Sequence, residues 1–132
     1  MSLNRIIPHA SAGYIEVVFD GHEDWMSAVQ TIEQIVAAID ELSIYRILLD
    51  FGRVNMHVAV AEAPHVAKLF DAFANHRLSF GIIRAGDARG AETIAAFADG
   101  MRSMGHSLEY LESAPAIEHW IRQRTKLARR AG

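Results

Sequence analysis

The chain has 132 residues, 51% hydrophobic and 22% charged, the size and balance of one folded domain rather than two domains or a disordered chain. It contains no cysteine, which excludes disulfides, thiol catalysis and Cys-based zinc or iron–sulfur sites, and fits a reducing compartment. The formal net charge is −3 and is unevenly placed: residues 1–121 hold 8 Lys/Arg against 16 Asp/Glu, whereas residues 122–132 add five cations and no acid.

An acidic body repels phosphate polymers, and no aromatic residue interleaves the basic ones, so no nucleic-acid partner is expected. The basic end reads instead as the close of a C-terminal helix, where cations complement the helix dipole. No apolar run reaches the roughly 18 residues of a membrane span, and the first residues lack a signal-peptide core. A cytoplasmic protein without a transmembrane segment is the expectation.

Residues 4–8 read as an N-terminal edge strand, free to run antiparallel, because Pro8 suits only an edge or a strand end. Residues 15–19 are β-branched and aromatic, and the turn pair Asp20-Gly21 is expected to stop that strand. Trp25, Val29, Ile32, Val36 and Ile39 recur at spacings of 4, 3, 4 and 3, one stripe of an amphipathic helix with Glu23 and Asp24 in its first turn. Residues 45–51 are apolar on both alternating sets, as in a strand covered on both faces, with Gly52 as its end. A second helix carries Val66, Leu69, Phe70 and Phe73 on one face and Pro64 in its first turn.

Residues 79–83 form the next strand and Gly86-Asp87 the next turn. The third helix shows Ile94, Phe97, Ala98, Met101 and Met104 and closes at Gly105. Residues 108–111 make a last short strand, and Ser113 caps a final helix that turns Ile117, Trp120 and Ile121 inward. Strands separated by single helices run parallel. The expected fold class is therefore α/β: one domain over residues 1–132, its core about 5–122, with a mostly parallel sheet of about five strands and four helices.

IEVVFDG ahead of an acidic helix start, YRILLDFGRV as the second core strand, and LEYLESAPAIEHWI as the closing strand and helix resemble the SpoIIAA-like group, the STAS and Sec14-type small α/β proteins. The likeness covers nearly the whole chain and rests on pattern, without a chemical signature. It implies a stepwise β-α superhelix with helices mainly on one side of the sheet. It also implies a bacterial regulatory or ligand-binding module more often than an enzyme.

Phospho-switched anti-sigma-factor antagonists of this group carry a Ser or Thr where the helix after that second core strand begins. Here residues 54–60 read VNMHVAV, and between Ser43 and Ser79 the only hydroxyl side chain is that of Tyr45. A phosphoryl group at that place would have to go to His57, so a standard phospho-antagonist is not expected.

In open parallel sheets, ligands gather at the carboxyl ends of the strands. Asp20, His22, Asp50, Arg53, Arg84, Asp87 and Arg89 are the rim candidates for an anion or other ligand, with Arg84 and Arg89 beside the start of the third helix. Residues 86–90 (GDARG) lack the Lys-Ser/Thr ending of a phosphate loop, and neither G-x-G-x-x-G nor G-x-S-x-G occurs. Glu62-x-x-His65 is half of a di-metal pattern with no second half, so no metal or cofactor is expected.

Trp25, Phe51, Met56, Phe70, Met101 and Trp120 are the candidates for an apolar pocket or interface. Val17, Phe19, Ile47, Leu49 and Ile83 suggest an apolar sheet face that a partner subunit would cover. The leading expectation is a non-catalytic SpoIIAA-like regulatory or protein-interaction module, as a homodimer or with a protein partner. The alternative is a carrier or sensor of a nonpolar or amphipathic small molecule. A small enzyme using the rim residues stands third.

Overall fold

The computed structural model describes residues 4–123; the basic run beyond residue 123 lies outside the described residues. β1 (Arg5–His9) and β2 (Tyr14–Glu23) form an antiparallel pair. α1 (Trp25–Leu42) leads to β3 (Arg46–Met56), and a 3₁₀ turn (Val60–Glu62) leads directly into α2 (Ala63–Ala74). β4 (Ser79–Ile83), α3 (Ala88–Ser103), β5 (Ser107–Tyr110) and α4 (Ala114–Arg122) complete the alternation. The sheet order is β1-β2-β3-β4-β5, and every pair after the first is parallel. Each crossover thus delivers the chain to the neighbouring position, which is the stepwise superhelix expected.

β2 and β3 both run past their expected ends. They pair in parallel through Asp20↔Arg53, Gly21↔Val54, His22↔Asn55 and Glu23↔Met56, beyond the last β3–β4 partner at Asp50↔Ile83. Asp20-Gly21 is not a turn: the register shifts between Val18 and Asp20, and Gly21 takes φ +88° within the strand. Glycine occupies that left-handed region without Cβ strain, so it kinks the strand and lets the pairing continue. Gly52 likewise lies inside β3. The result is a two-stranded ribbon projecting past the rest of the sheet.

The ends of the helices are set by local chemistry. Asp24 caps α1 by accepting from the Ser27 N–H, and Ser27 Oγ accepts from the Asp24 N–H in return. Asp87 caps α3 through the Gly90 N–H, and Ser113 caps α4 through the Ala116 N–H.

α1, α2 and α3 cover one face of the sheet, packing on Ile15, Val17, Phe19, Ile47, Leu49, Phe80 and Ile82. The face suggested as open to a partner subunit is therefore covered by the chain's own helices. It carries Ile82; Ile83 lies on the opposite face.

α1 buries Ala28, Thr31, Ile32, Ile35 and Ile39, a stripe rotated from the expected one, and leaves Trp25 exposed. α2 buries Ala63, Val66, Ala67, Phe70 and Ala74, so small residues rather than Phe73 face the core, and Phe73 is 43% exposed. α4 alone lies on the opposite face, where Trp120 and Leu111 pack with Tyr14 and Leu48 in a second, smaller core.

Candidate functional site

The projecting ribbon borders a cavity. A cavity of about 60 Å³ lies between Phe19, Leu49, Phe51 and Met56 of the sheet and the facing sides of α1, α2 and α3. Phe19 and Phe51 stack at 4.4 Å to form part of its floor, and Phe70, Ile94 and Phe97 close its far side. Its few polar residues are Glu23, Thr31 and Thr93. Lipid-sized occupants need sites of several hundred Å³, so the space as it stands suits only a small molecule.

Glu23 is the unexpected member. It ends β2 instead of opening α1, and this puts a carboxyl group only 3% exposed against an apolar wall. Burial raises its pKa above the ordinary glutamate value, and hydrogen bonds from Ser27 and Asn4 offset part of that rise. Its Oε1 accepts from Ser27 Oγ at 2.7 Å and from Asn4 Nδ2 at 3.0 Å. Asn4 also donates to Thr31 Oγ1 at 2.8 Å and accepts from the Asp20 N–H, tying the start of the chain to β2 and α1.

The Glu23 carbonyl receives the His57 N–H at 2.7 Å, which fixes the chain leaving β3. Above it the rings of His22 and His57 stack at 4.3 Å, and His22 Nε2 stands 3.0 Å from Asp24 Oδ2. Thr93 Oγ1 donates to the Val58 carbonyl, closing the cavity from the α3 side.

The rim residues do not converge. Asp20 and Arg53 face each other at 4.0 Å on the ribbon, and Arg84 meets Glu112 at 3.2 Å two strands away. Asp50 Oδ1 accepts from the Gly52 N–H, and Asp87 is occupied as the α3 cap. Arg89 is exposed in the first turn of α3, and Arg84 pairs with Glu112 instead of the nearby Asp87, Asp50 or Glu92. Among the described residues, no group of three or more His, Cys, Asp or Glu is placed to hold a metal ion.

The apolar candidates separate into three places. Phe51, Met56 and Phe70 line the cavity. Met101 is fully buried in the main core, away from the cavity wall, and Trp120 is on the other side of the sheet beneath α4. Trp25 is 36% exposed at the start of α1 beside Met26 at 65%, and Val60 is 43% exposed in the 3₁₀ turn. α1 and that turn follow the parallel strands β2 and β3, so these three apolar side chains stand at one end of the sheet.

Glu23 and Asn4 were missed by sequence reasoning. Residues 23–27 (EDWMS) hold a capping signal, and either acid can be placed at the N-cap; taking Asp24 as the cap pushes Glu23 back into the strand.

Among the described residues, no helix is long and apolar enough to cross a membrane. No family model matches the chain, and no curated protein matches it significantly. Among solved structures it is similar to the anti-sigma factor antagonist SpoIIAA in its unphosphorylated form, with a TM-score of 0.58 at 12% identity, over 88% of this chain and 94% of that one. The chain therefore has the fold of that small α/β protein, a five-stranded, mostly parallel sheet with four helices.

Proposed function

We propose that this protein is a non-catalytic regulatory module that works by docking to a protein partner, a second copy of itself included. The observation that supports this most is the placement of Trp25, Met26 and Val60, large apolar side chains left in solvent together at the end of the sheet where α1 and the 3₁₀ turn begin. Aromatic residues and Met are the residue types that anchor protein interfaces. Likeness in fold to an anti-sigma factor antagonist agrees with such a role. The dispersed rim, where each charged side chain is satisfied by a neighbour or by solvent, offers no acid–base–nucleophile constellation for an enzyme.

Residues 54–60, which lead from β3 towards α2, contain neither Ser nor Thr. In this reading the module is not switched by phosphorylation of a hydroxyl there.

Site-specific photo-crosslinking tests the proposal. A photoreactive residue is placed at Met26 or Val60, and as a control at Glu109 on β5, in cells that make the protein. A discrete crosslinked product from the first two positions and not from the third is the expected result. Equal labelling at all three, or none at Met26 and Val60, would overturn it.

A further inference from the structure

We infer that the cavity between the sheet and α1, α2 and α3 is a binding site for a small uncharged aliphatic molecule. Nothing in this inference depends on the docking surface.

The chemistry of the wall sets the class of ligand. Almost none of the surface facing the space is polar. The rings of Phe19, Phe51 and Phe70 meet the aliphatic side chains of Ile35, Leu49 and Ile94 around it. The polar side chains at its margin are already engaged within the protein. Glu23 Oε1 accepts from Ser27 and Asn4, Thr31 Oγ1 accepts from Asn4, and Thr93 Oγ1 donates to the Val58 carbonyl. Among the described residues, no Lys, Arg or His lines the space. A charged or hydrogen-bonding ligand would lose its water shell there without gaining partners.

Water is held no better. A buried water typically makes about three hydrogen bonds, and a cavity walled by apolar side chains stays dry. Wall atoms that face an empty space lack dispersion contacts on one side, and an apolar guest supplies them. Met56, also in the wall, has an unbranched thioether chain that adjusts to the shape of a guest.

Size narrows the class further. The 60 Å³ space is less than half of the roughly 150 Å³ apolar cavity that takes up benzene. At about 10–15 Å³ per water-sized position it offers roughly four to six such positions, so about three to five carbon atoms fit. A short chain or small ring meets that limit, and a six-membered aromatic ring exceeds it.

The test is a methyl-resolved NMR titration of the full chain with cyclopropane, ethanol and benzene in parallel. Cyclopropane and ethanol have the same number of non-hydrogen atoms, so they separate polarity from size. Saturable shifts of the Ile35 and Ile94 methyl groups are expected with cyclopropane, and none at Leu111, which packs under α4 on the other face of the sheet. Ethanol and benzene are each expected to bind at least about tenfold more weakly. Ala28→Val fills part of the space from α1 and is expected to weaken cyclopropane by about tenfold or more.

No saturable shift with cyclopropane, or shifts as large at Leu111, would overturn the inference. Equal binding of ethanol or benzene, or undiminished binding of cyclopropane by Ala28→Val, would overturn it as well. If Ala28→Val does not fold, the three titrations of the parent chain decide by themselves.

Discussion

Trp120 packs directly on Gly81: a Cβ added at Gly81 would stand 2.9 Å from the indole Cε2 and 2.8 Å from Leu111 Cδ1. The absent side chain is what allows α4 to lie on the face of the sheet opposite the other three helices. Arg46 holds the far side, with its guanidinium 4.0 Å from the centre of the Trp120 ring and hydrogen-bonded to the Trp120 carbonyl. Charged donors aimed at the last carbonyls of a helix favour its C-terminus.

Gly81→Ala is accordingly expected to cost about 1–3 kcal/mol, the usual range for overpacking a filled site. Urea denaturation measures it. In a Trp25→Phe background, Trp120 fluorescence should also move towards that of a solvated indole. A loss below about 0.5 kcal/mol, the range of neutral surface changes, would mean that α4 is not seated on Gly81.

His106 is a structural histidine. Its Nδ1 accepts the Leu78 N–H at 2.9 Å, which leaves Nε2 to donate to Asp71 Oδ1 at 2.7 Å. The ring thereby ties the loop before β4 to α2. His106→Ala should cost about 1–3 kcal/mol by leaving a buried backbone N–H without an acceptor. His106→Asn, which offers a side-chain oxygen near the Nδ1 position, should recover part of that loss. Equal losses in denaturation experiments would assign the effect to ring packing instead of the bond to Leu78.

Glu23 gives stability a pH dependence of defined sign. Its pKa is raised in the folded chain, chiefly by burial, so between the ordinary glutamate value and the raised one the folded state holds the proton that the unfolded state has released. Stability from this group is present at low pH and falls as pH rises through that window. Asp24 works in the opposite direction: its pKa is lowered, first by the Ser27 backbone N–H and then by His22, so its contribution is lost on acidification. The difference between the parent chain and Glu23→Gln isolates the first effect. Urea midpoints from about pH 4 to 8 should fall more steeply in the parent. Parallel curves would contradict the burial of an ionising Glu23.

Arg84 is expected to matter little to stability. It pairs with Glu112 at 3.2 Å and lies 3.9 Å from the centre of the Tyr110 ring, yet both ionic partners are largely solvated. Arg84→Ala should shift stability by no more than about 1 kcal/mol. A larger loss in thermal or urea unfolding would show that this rim position carries weight in the fold.

The order of elements was legible because periodicity and caps are local. Ser113 at the start of α4 announces itself by residue type and spacing, whereas Asp24, expected in the first turn of α1, is instead its cap. What misled the reading was chemistry with two uses. Asp-Gly commonly marks a turn, but Gly21 spends its positive φ on a strand kink. Phe73 resembled a core residue, yet Ala63, Ala67 and Ala74 are the buried small residues of α2, and a Cβ added at Gly100 of α3 would stand 2.9 Å from the Ala67 Cβ, so α2 and α3 pack closely there. Of the rim candidates, Asp20, His22, Asp50 and Arg53 lie inside the extended β2 and β3, and Arg84, Asp87 and Arg89 follow β4; nothing local reveals how each would be paired.

By itself, the sequence determined that this chain is one α/β domain with a mostly parallel sheet, because hydrophobic period, β-branching and helix capping act within a few residues of one another. It also determined which chemistries are absent, since no thiol and no phosphate-loop glycine pattern is present. Tertiary structure alone decided that β2 and β3 extend as a paired ribbon, that α4 crosses to the other face, and that Glu23 is buried beside an apolar cavity. Each of these depends on contacts between segments far apart in the chain, such as Asn4 with Glu23 and Thr31, or Gly81 with Trp120. A carboxyl group reads the same in sequence whether it meets water or the floor of a cavity; only the packing around it sets its charge and its use.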